Sequence, residues 1–227
     1  MDRDRRIKED LYGLFASLGK ALSSPARLRI LDVLSQRERS VESVAEQAEL
    51  SVANASAHLR VLHSAGLVRS HREGRYVIYE LAGKDVFPFL RAFQSMARRS
   101  LAEVDRMVRT FYERPEELDP IEPEELLRRI REDDVTVVDV RPEEEYRAAH
   151  LPGAILVPPE EVEERIAELP PGREIVAYCR GPYCLYSGSA VERLKERGRR
   201  ARRLSIGLPD WLARGLPVET STAMAGP

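Results

Sequence analysis

Apolar positions in the first half of the chain recur at steps of three and four. LYGLFASLGKAL, SPARLRILDVL, SVESVAEQAEL and SVANASAHLRVLHSAGL all show this spacing, which predicts successive amphipathic helices. Pro25 stands where a helix begins. The period then changes: in VRSHREGRYVIYEL, Tyr76 and Ile78 alternate with polar neighbours after Glu73-Gly74, predicting a two-stranded hairpin. Leu90, Phe93, Ala97, Leu101, Val104, Val108 and Phe111 return to steps of three and four, predicting one long helix with a single apolar stripe. Little of the preceding domain is left for that stripe to cover, so a second copy of the chain is its expected partner.

Acids and three prolines crowd ERPEELDPIEPEELL (113–127), and the pattern is different beyond it. TVVDV and EIVAYC are short, apolar, β-branched runs, separated by the helical stretches EEVEERIAEL and SGSAVERLKERG. That alternation predicts a parallel sheet flanked by helices. The expected architecture is two domains: a mainly-α domain over 1–114 and an α/β domain over 115–220. Residues 115–127 serve as linker and first helix, and 221–227 as a disordered tail. The sequence shows no internal repeat and no low-complexity tract.

The 227 residues are enough for two ordinary cores. No apolar run approaches the roughly twenty residues a bilayer requires, and MDRDRRIKED lacks the character of a signal peptide, so a cytoplasmic protein without a membrane partner is expected. Near-zero net charge conceals an asymmetry. Residues 1–114 carry 20 Lys and Arg against 15 Asp and Glu, while residues 115–227 carry 16 against 23. The basic half is compatible with nucleic acid.

Two short helices joined by a tight turn and followed by a basic hairpin describe a winged helix-turn-helix. Its second helix enters the major groove and its hairpin lies along the backbone or the minor groove, making a double-stranded DNA operator the expected partner. Ser51 is placed to cap the second helix, with Val52, Asn54, Ala55 and Ala57 on early exposed turns where small residues let backbone approach the duplex. Asn54 suits an adenine edge; Ser51, Ser56, His58 and Arg60 suit phosphates or bases. Arg69, Arg72 and Arg75 give the wing its positive charge. Together, ALSSPARLRILDVL, LSVANASAHLRVLHSAGLV and REGRYVIYEL resemble the ArsR/SmtB family of dimeric winged-helix repressors, over roughly residues 10–112. The resemblance implies a homodimer built on the first and last helices and a palindromic operator. Many members of that family sense metals. Here the helix that would carry their cysteine pair reads SVESVAEQ, and the last helix has no histidine. His58, His63 and His71 lack companion ligands at useful spacing, so neither a metal nor another cofactor is expected.

Both cysteines of the chain lie in AYCRGPYC. In a reducing compartment they are inert core residues, metal ligands or reactive thiols. Cys179 falls at the C-terminal end of a parallel strand, where ligand sites of open α/β sheets gather. Loop amides and the following helix N-terminus make a positive environment that favours a thiolate and would also stabilise a persulfide. Arg180 adds charge for an anionic sulfur donor and Gly181 adds backbone freedom. VTVVDVRPEEEYRAAHLPGAILVP, IVAYCRGPYC and RRLSIGLPDWLARGLPVE resemble a single-domain rhodanese over roughly residues 120–220. By that resemblance Cys179, in a loop completed by Arg180, Gly181, Pro182, Tyr183 and Cys184, takes sulfane sulfur from thiosulfate, a polysulfide or a persulfide. Asp139 and Arg141 match the family's D-x-R and read mainly as scaffolding, as does His150. Two positions depart from the family pattern: Cys184 replaces the arginine that often closes the loop, and Ile206-Gly207 replaces a Gly-Gly pair. Cys184 is either a resolving thiol or a small buried residue.

Three functions follow. The first is a DNA-binding regulator, a repressor by resemblance, whose rhodanese-like domain couples reactive sulfur or redox state to operator binding. The second is a rhodanese-type sulfurtransferase whose winged helix serves dimerisation or autoregulation. A peroxide or general redox sensor using the same thiol pair is the third.

Overall fold

The computed structural model describes residues 2–221, and the chain divides between Phe89 and Leu90 into two units. In the first, α1 (Asp2–Leu22) and α2 (Pro25–Gln36) precede the short strand β1 (Arg39–Ser40), α3 (Val41–Gln47) and α4 (Val52–Ser64). β2 (Val68–Glu73) and β3 (Tyr76–Leu81) form the hairpin. Pro25 takes the first turn of α2, where a missing N–H costs nothing. Ser40 and Ser51 cap α3 and α4 by accepting from the amides of Ser43 and Asn54. Between the two helices Glu49 adopts a left-handed φ of 54°, which ends α3 and makes the turn tight. Ile30, Leu31, Val44, Ala55, Leu59 and Leu62 form the core. β2 and β3 pair antiparallel from Val68 opposite Leu81 to Glu73 opposite Tyr76, leaving Gly74 and Arg75 as the turn. β1 adds to the other edge of β3. The upper turns of α1 leave Ile7, Leu11, Leu14 and Phe15 exposed, and only Ala21 and Leu22 at its end are buried.

The expected long helix is broken. α5 (Val86–Ser100), which spans the division between the units, stops before Leu101, whose backbone is extended at φ −118° and ψ 101°. α6 (Ala102–Met107) and a π-helical turn (Val108–Glu113) follow. The guanidinium of Arg98 explains the break, because it binds both Asp105 (2.8 Å) and Glu113 (2.5 and 2.8 Å). In an unbroken helix those partners would stand about 10 and 22 Å further along the axis. The apolar stripe is therefore not continuous, and two of its members, Leu90 and Val108, are buried within the protein.

The second unit continues through α7 (Pro115–Leu118), α8 (Pro123–Arg131), β4 (Val135–Asp139), α9 (Glu143–Ala148), β5 (Ile155–Leu156), α10 (Val162–Arg165), β6 (Glu174–Tyr178), α11 (Leu185–Glu196), β7 (Ala201–Arg203) and α12 (Leu208–Ala213). EEVEERIAEL holds only the single α-turn of α10, between 3-10 turns at Pro159–Glu161 and Ile166–Glu168. The four strands are parallel in the order β5-β4-β6-β7. Alternation along β6 sends Ile175, Ala177 and Cys179 into the core with Ala190, Val191 and Leu194 of α11. Val176 and Tyr178 enter the opposite core with Leu126, Leu208 and Trp211. The tail expected to be disordered from 221 begins with an ordered residue: the Ser221 amide donates to the Arg147 carbonyl. Residues 222–227 lie outside the described residues.

A buried ion pair closes the carboxyl end of this sheet. Asp139 and Arg141 are both fully buried. Asp139 Oδ1 accepts from the Arg141 amide (2.9 Å) and Nε (3.0 Å), and Oδ2 accepts from Arg141 Nη2 (2.6 Å) and the Tyr178 hydroxyl (2.5 Å). Arg141 Nη2 also donates to the Ala149 carbonyl, while Tyr178 Oη accepts from the Leu151 amide. Burial opposes the Arg141 charge, but Asp139 outweighs it and holds the guanidinium protonated. Burial and then the Asp139 charge push the Tyr178 hydroxyl well above its ordinary value, so it remains a donor. Replacing Arg141 with Met leaves the Asp139 carboxylate buried without its cation and should lower stability by about 3–5 kcal/mol. Urea unfolding followed by fluorescence of Trp211, the only tryptophan, measures it; a loss below about 1 kcal/mol would show that the pair does not hold the strand ends.

Candidate functional site

Cys179 follows β6 directly and is 2 % exposed. Its sulfur is bonded to that of Cys184, with the two Cα atoms 6.3 Å apart. Cys184 occupies the N-cap position of α11, and its amide donates to the Gly181 carbonyl at 3.1 Å, closing the loop as a turn. That amide is thus engaged within the loop that was expected to cradle an anion.

Arg180 does not project its charge toward a donor. Its Nε and Nη2 bind the carboxylate of buried Glu145 on α9, at 3.1 and 2.6 Å. Tyr183 meets the ring of Tyr112 edge-on, with centroids 5.8 Å apart. Gly207 lies against the loop so closely that a Cβ there would sit 2.3 Å from the Arg180 carbonyl oxygen and 2.4 Å from Gly181 Cα. Only glycine fits, which accounts for the half of the Gly-Gly pair that this sequence keeps. The neighbouring Leu208 amide donates to the Cys179 carbonyl at 3.3 Å. Asp139 and Arg141 support the loop through Tyr178, the residue before Cys179. His150 is buried, stacked on Tyr146 and bonded through Nδ1 to the Tyr146 carbonyl.

Sequence reasoning missed Glu145, Tyr112, Arg91 and Arg203. Arg91 on α5 makes a two-pronged pair with Asp210 of α12, at 2.8 and 2.7 Å. Arg203, 6 % exposed at the end of β7, donates from Nη2 to the carbonyls of Gly181 (3.2 Å), Pro182 (2.9 Å) and Cys184 (3.3 Å), and from Nη1 to that of Tyr112. In the sequence it is one of four arginines in RRARR, without a signal to distinguish it.

In the first unit α4 presents Val52, Ala53, Asn54, Ala57 and Arg60 to solvent. Ala55 is not among them. It is fully buried, because Ala55, Leu59 and Leu62 recur at steps of four and three on the inward face. The Ser51 hydroxyl caps the helix at 3.3 Å from the Asn54 amide; Ser56 and His58 are half-buried, and Arg60 donates to Ser56 Oγ at 3.3 Å. Arg72 and Arg75 are exposed on the wing, Arg75 bonding the Tyr76 hydroxyl, whereas Arg69 pairs with Glu80. His71 has acidic neighbours that sequence spacing concealed: the ligand atoms of Glu38, His71 and Glu80 lie within 4.8 Å of one another, with Glu38 and His71 exposed.

The family model for the bacterial regulatory protein, arsR family, matches residues 24–70, and that for the rhodanese-like domain matches residues 122–214. The HTH-type transcriptional regulator Rv0324 of Mycobacterium tuberculosis is 44 % identical over 212 residues, 93 % of each chain. The chain belongs to the ArsR family of transcriptional regulators. This regulator joins an ArsR-type winged helix-turn-helix to a rhodanese-like domain. It is also similar to a sulfurtransferase of Allochromatium vinosum, 31 % identical over 43 % of the regulator and 92 % of that protein. The solution structure of the homodimeric winged helix-turn-helix domain, fragment 1–100, of Mb0332 from Mycobacterium bovis matches 42 % of the regulator and 89 % of that fragment, at 41 % identity and a TM-score of 0.40. Among the described residues, no helix is long and apolar enough to cross a membrane.

Proposed function

We propose that the rhodanese-like domain of this regulator accepts sulfane sulfur on Cys179, that Cys184 discharges it, and that the resulting bridge changes operator binding. The observation that carries the reading is the Cys179–Cys184 bond inside the loop. In the first step the Cys179 thiolate attacks the outer sulfur of a small persulfide or polysulfide. The donor leaves as its shortened thiolate, and Cys179 becomes a persulfide. In the second, the Cys184 thiolate attacks Cys179 Sγ and expels hydrosulfide, leaving the bridge. The dithiol is oxidised by two electrons and the sulfane sulfur is reduced to sulfide. Internal attack by Cys184 competes with transfer to an outside acceptor, which favours a switch over a turnover enzyme.

A polysulfide should therefore shift operator titrations of the wild type. Cys179→Ser should bind operator normally but lose the response, and Cys184→Ser should retain a persulfide detectable by mass spectrometry. Superimposable titrations with the bridge open and closed would refute the coupling.

Operator reading falls to α4 and the wing. Asn54→Ala should mainly reduce discrimination between operator and random duplex, while Arg75→Ala should weaken both about equally and flatten the salt slope by about one. Titrations at several salt concentrations separate the two effects; an unchanged slope for Arg75→Ala would remove that residue from the phosphate contacts.

A second copy of the chain is the proposed partner for the exposed apolar face of α1 and for Phe89, Phe93 and Met96 of α5. Leu11→Glu with Phe15→Glu places charges in that seam and should yield a monomer by sedimentation. A dimer of undiminished affinity would exclude α1 from the interface.

A further inference from the structure

Among the described residues, every cation named around the cysteine loop has a carboxylate partner except one. Arg180 is paired with Glu145, Arg91 with Asp210, Arg98 with Asp105 and Glu113, and Arg114 with Glu117 and Glu192. The hydrogen bonds of Arg203 among the described residues go only to backbone carbonyls, three of them in the loop itself. Burial first and then the nearby Arg114 charge lower its pKa to about 10, with Glu113 opposing, so the side chain is still protonated near neutrality.

We infer that Arg203 is the positioning residue of the cysteine pair: it holds the loop by its carbonyls and sets a positive charge against it. The inference rests on the proposed opening and closing of the Cys179–Cys184 bridge. A cation bonded to the Cys184 carbonyl, in the loop that carries both sulfurs, favours their anionic forms. In the open state these are the Cys179 and Cys184 thiolates, and in the sulfur-loaded state the terminal sulfur of the persulfide. The bridge is neutral and gains nothing, so Arg203 favours the reduced pair over the bridge. Arg203 is also bound to the Tyr112 carbonyl, which ties the same guanidinium to the end of the helical segment leading from α5. Other charges facing the loop are Arg91 and Asp210 of the α5 and α12 sides, Arg98 and Glu113 of the helical segment, and the Arg180–Glu145 pair. Tyr183, whose hydroxyl is pushed up by burial against the pull of Arg91 and Arg98, completes the set.

The test compares the full chain with Arg203→Gln, which keeps donors but loses the charge, and Arg203→Lys, which keeps the charge. After reduction, the rate of iodoacetamide alkylation at Cys179 is followed against pH by peptide mass. Glutamine should raise the midpoint by about one unit, a tenfold slower reaction below it, and lysine should leave it near the wild type. Equilibration with dithiothreitol, which opens the bridge while closing its own, should find the glutamine variant about tenfold harder to reduce. A glutamine profile superimposed on the wild type overturns the inference. So does a lysine variant shifted as far as glutamine, or one that fails to fold by Trp211 emission, since donor geometry rather than charge would then be the requirement. If only glutamine fails to fold, a wild-type lysine profile supports the inference and a shifted one overturns it. Neither measurement uses DNA or a sulfur donor, so a failed operator response and a failed Arg203 effect are distinguishable.

Discussion

The carboxylate of Asp139 has no contact with water, and the carboxyl end of the parallel sheet is organised around it. Two strands meet there: β4 supplies the carboxylate and β6 supplies Tyr178, whose hydroxyl stays protonated and donates to it. Arg141 compensates the charge and reaches on to the Ala149 carbonyl, while Tyr178 receives the Leu151 amide, so three chain segments share one buried network. Removing water makes such a network cooperative and intolerant of a missing member. Its consequence for chemistry is positional. Tyr178 is anchored on one face of the sheet, and the alternation of a strand sends the next residue, Cys179, to the other face at the point where the strand ends.

Above that anchor the loop is held by backbone contact and by charge. Gly207 allows the chain after β7 to press on Arg180 and Gly181, and the Leu208 amide binds the Cys179 carbonyl. Among the described residues, each arginine of the rim except Arg203 is paired with an acid, so the field at the sulfurs is not the sum of a basic patch. A buried cation among carbonyls is a costly arrangement, as its lowered pKa records.

The segment between Leu90 and Arg114 has a second role that its apolar periodicity conceals. Arg98 folds it back by gathering Asp105 and Glu113, and the segment then places Tyr112 on Tyr183 and its carbonyl on Arg203. α5 begins in the winged unit and the segment follows it in the chain.

Features that depend on neighbours close in sequence were legible without the fold. The Ser51 cap, the Pro25 helix start, the hairpin of VRSHREGRYVIYEL and the strand that delivers Cys179 to a sheet end follow from hydrogen bonds and periodicity within a few residues. Motif order carried the two domain types and marked Cys179, Asp139 and Arg141. Ala55 was misplaced because small residues fit a helix on either face, and only packing with Leu59 and Leu62 decides between them. The break at Leu101, the capture of Arg180 by Glu145 and the carbonyl cluster around Arg203 join residues 7 to 91 positions apart. The sequence by itself determined the helix caps, the hairpin and the strand end at which the Cys179 thiol stands. Tertiary structure alone decided which charges are cancelled there and whether the two sulfurs meet, because both depend on where distant segments return in space.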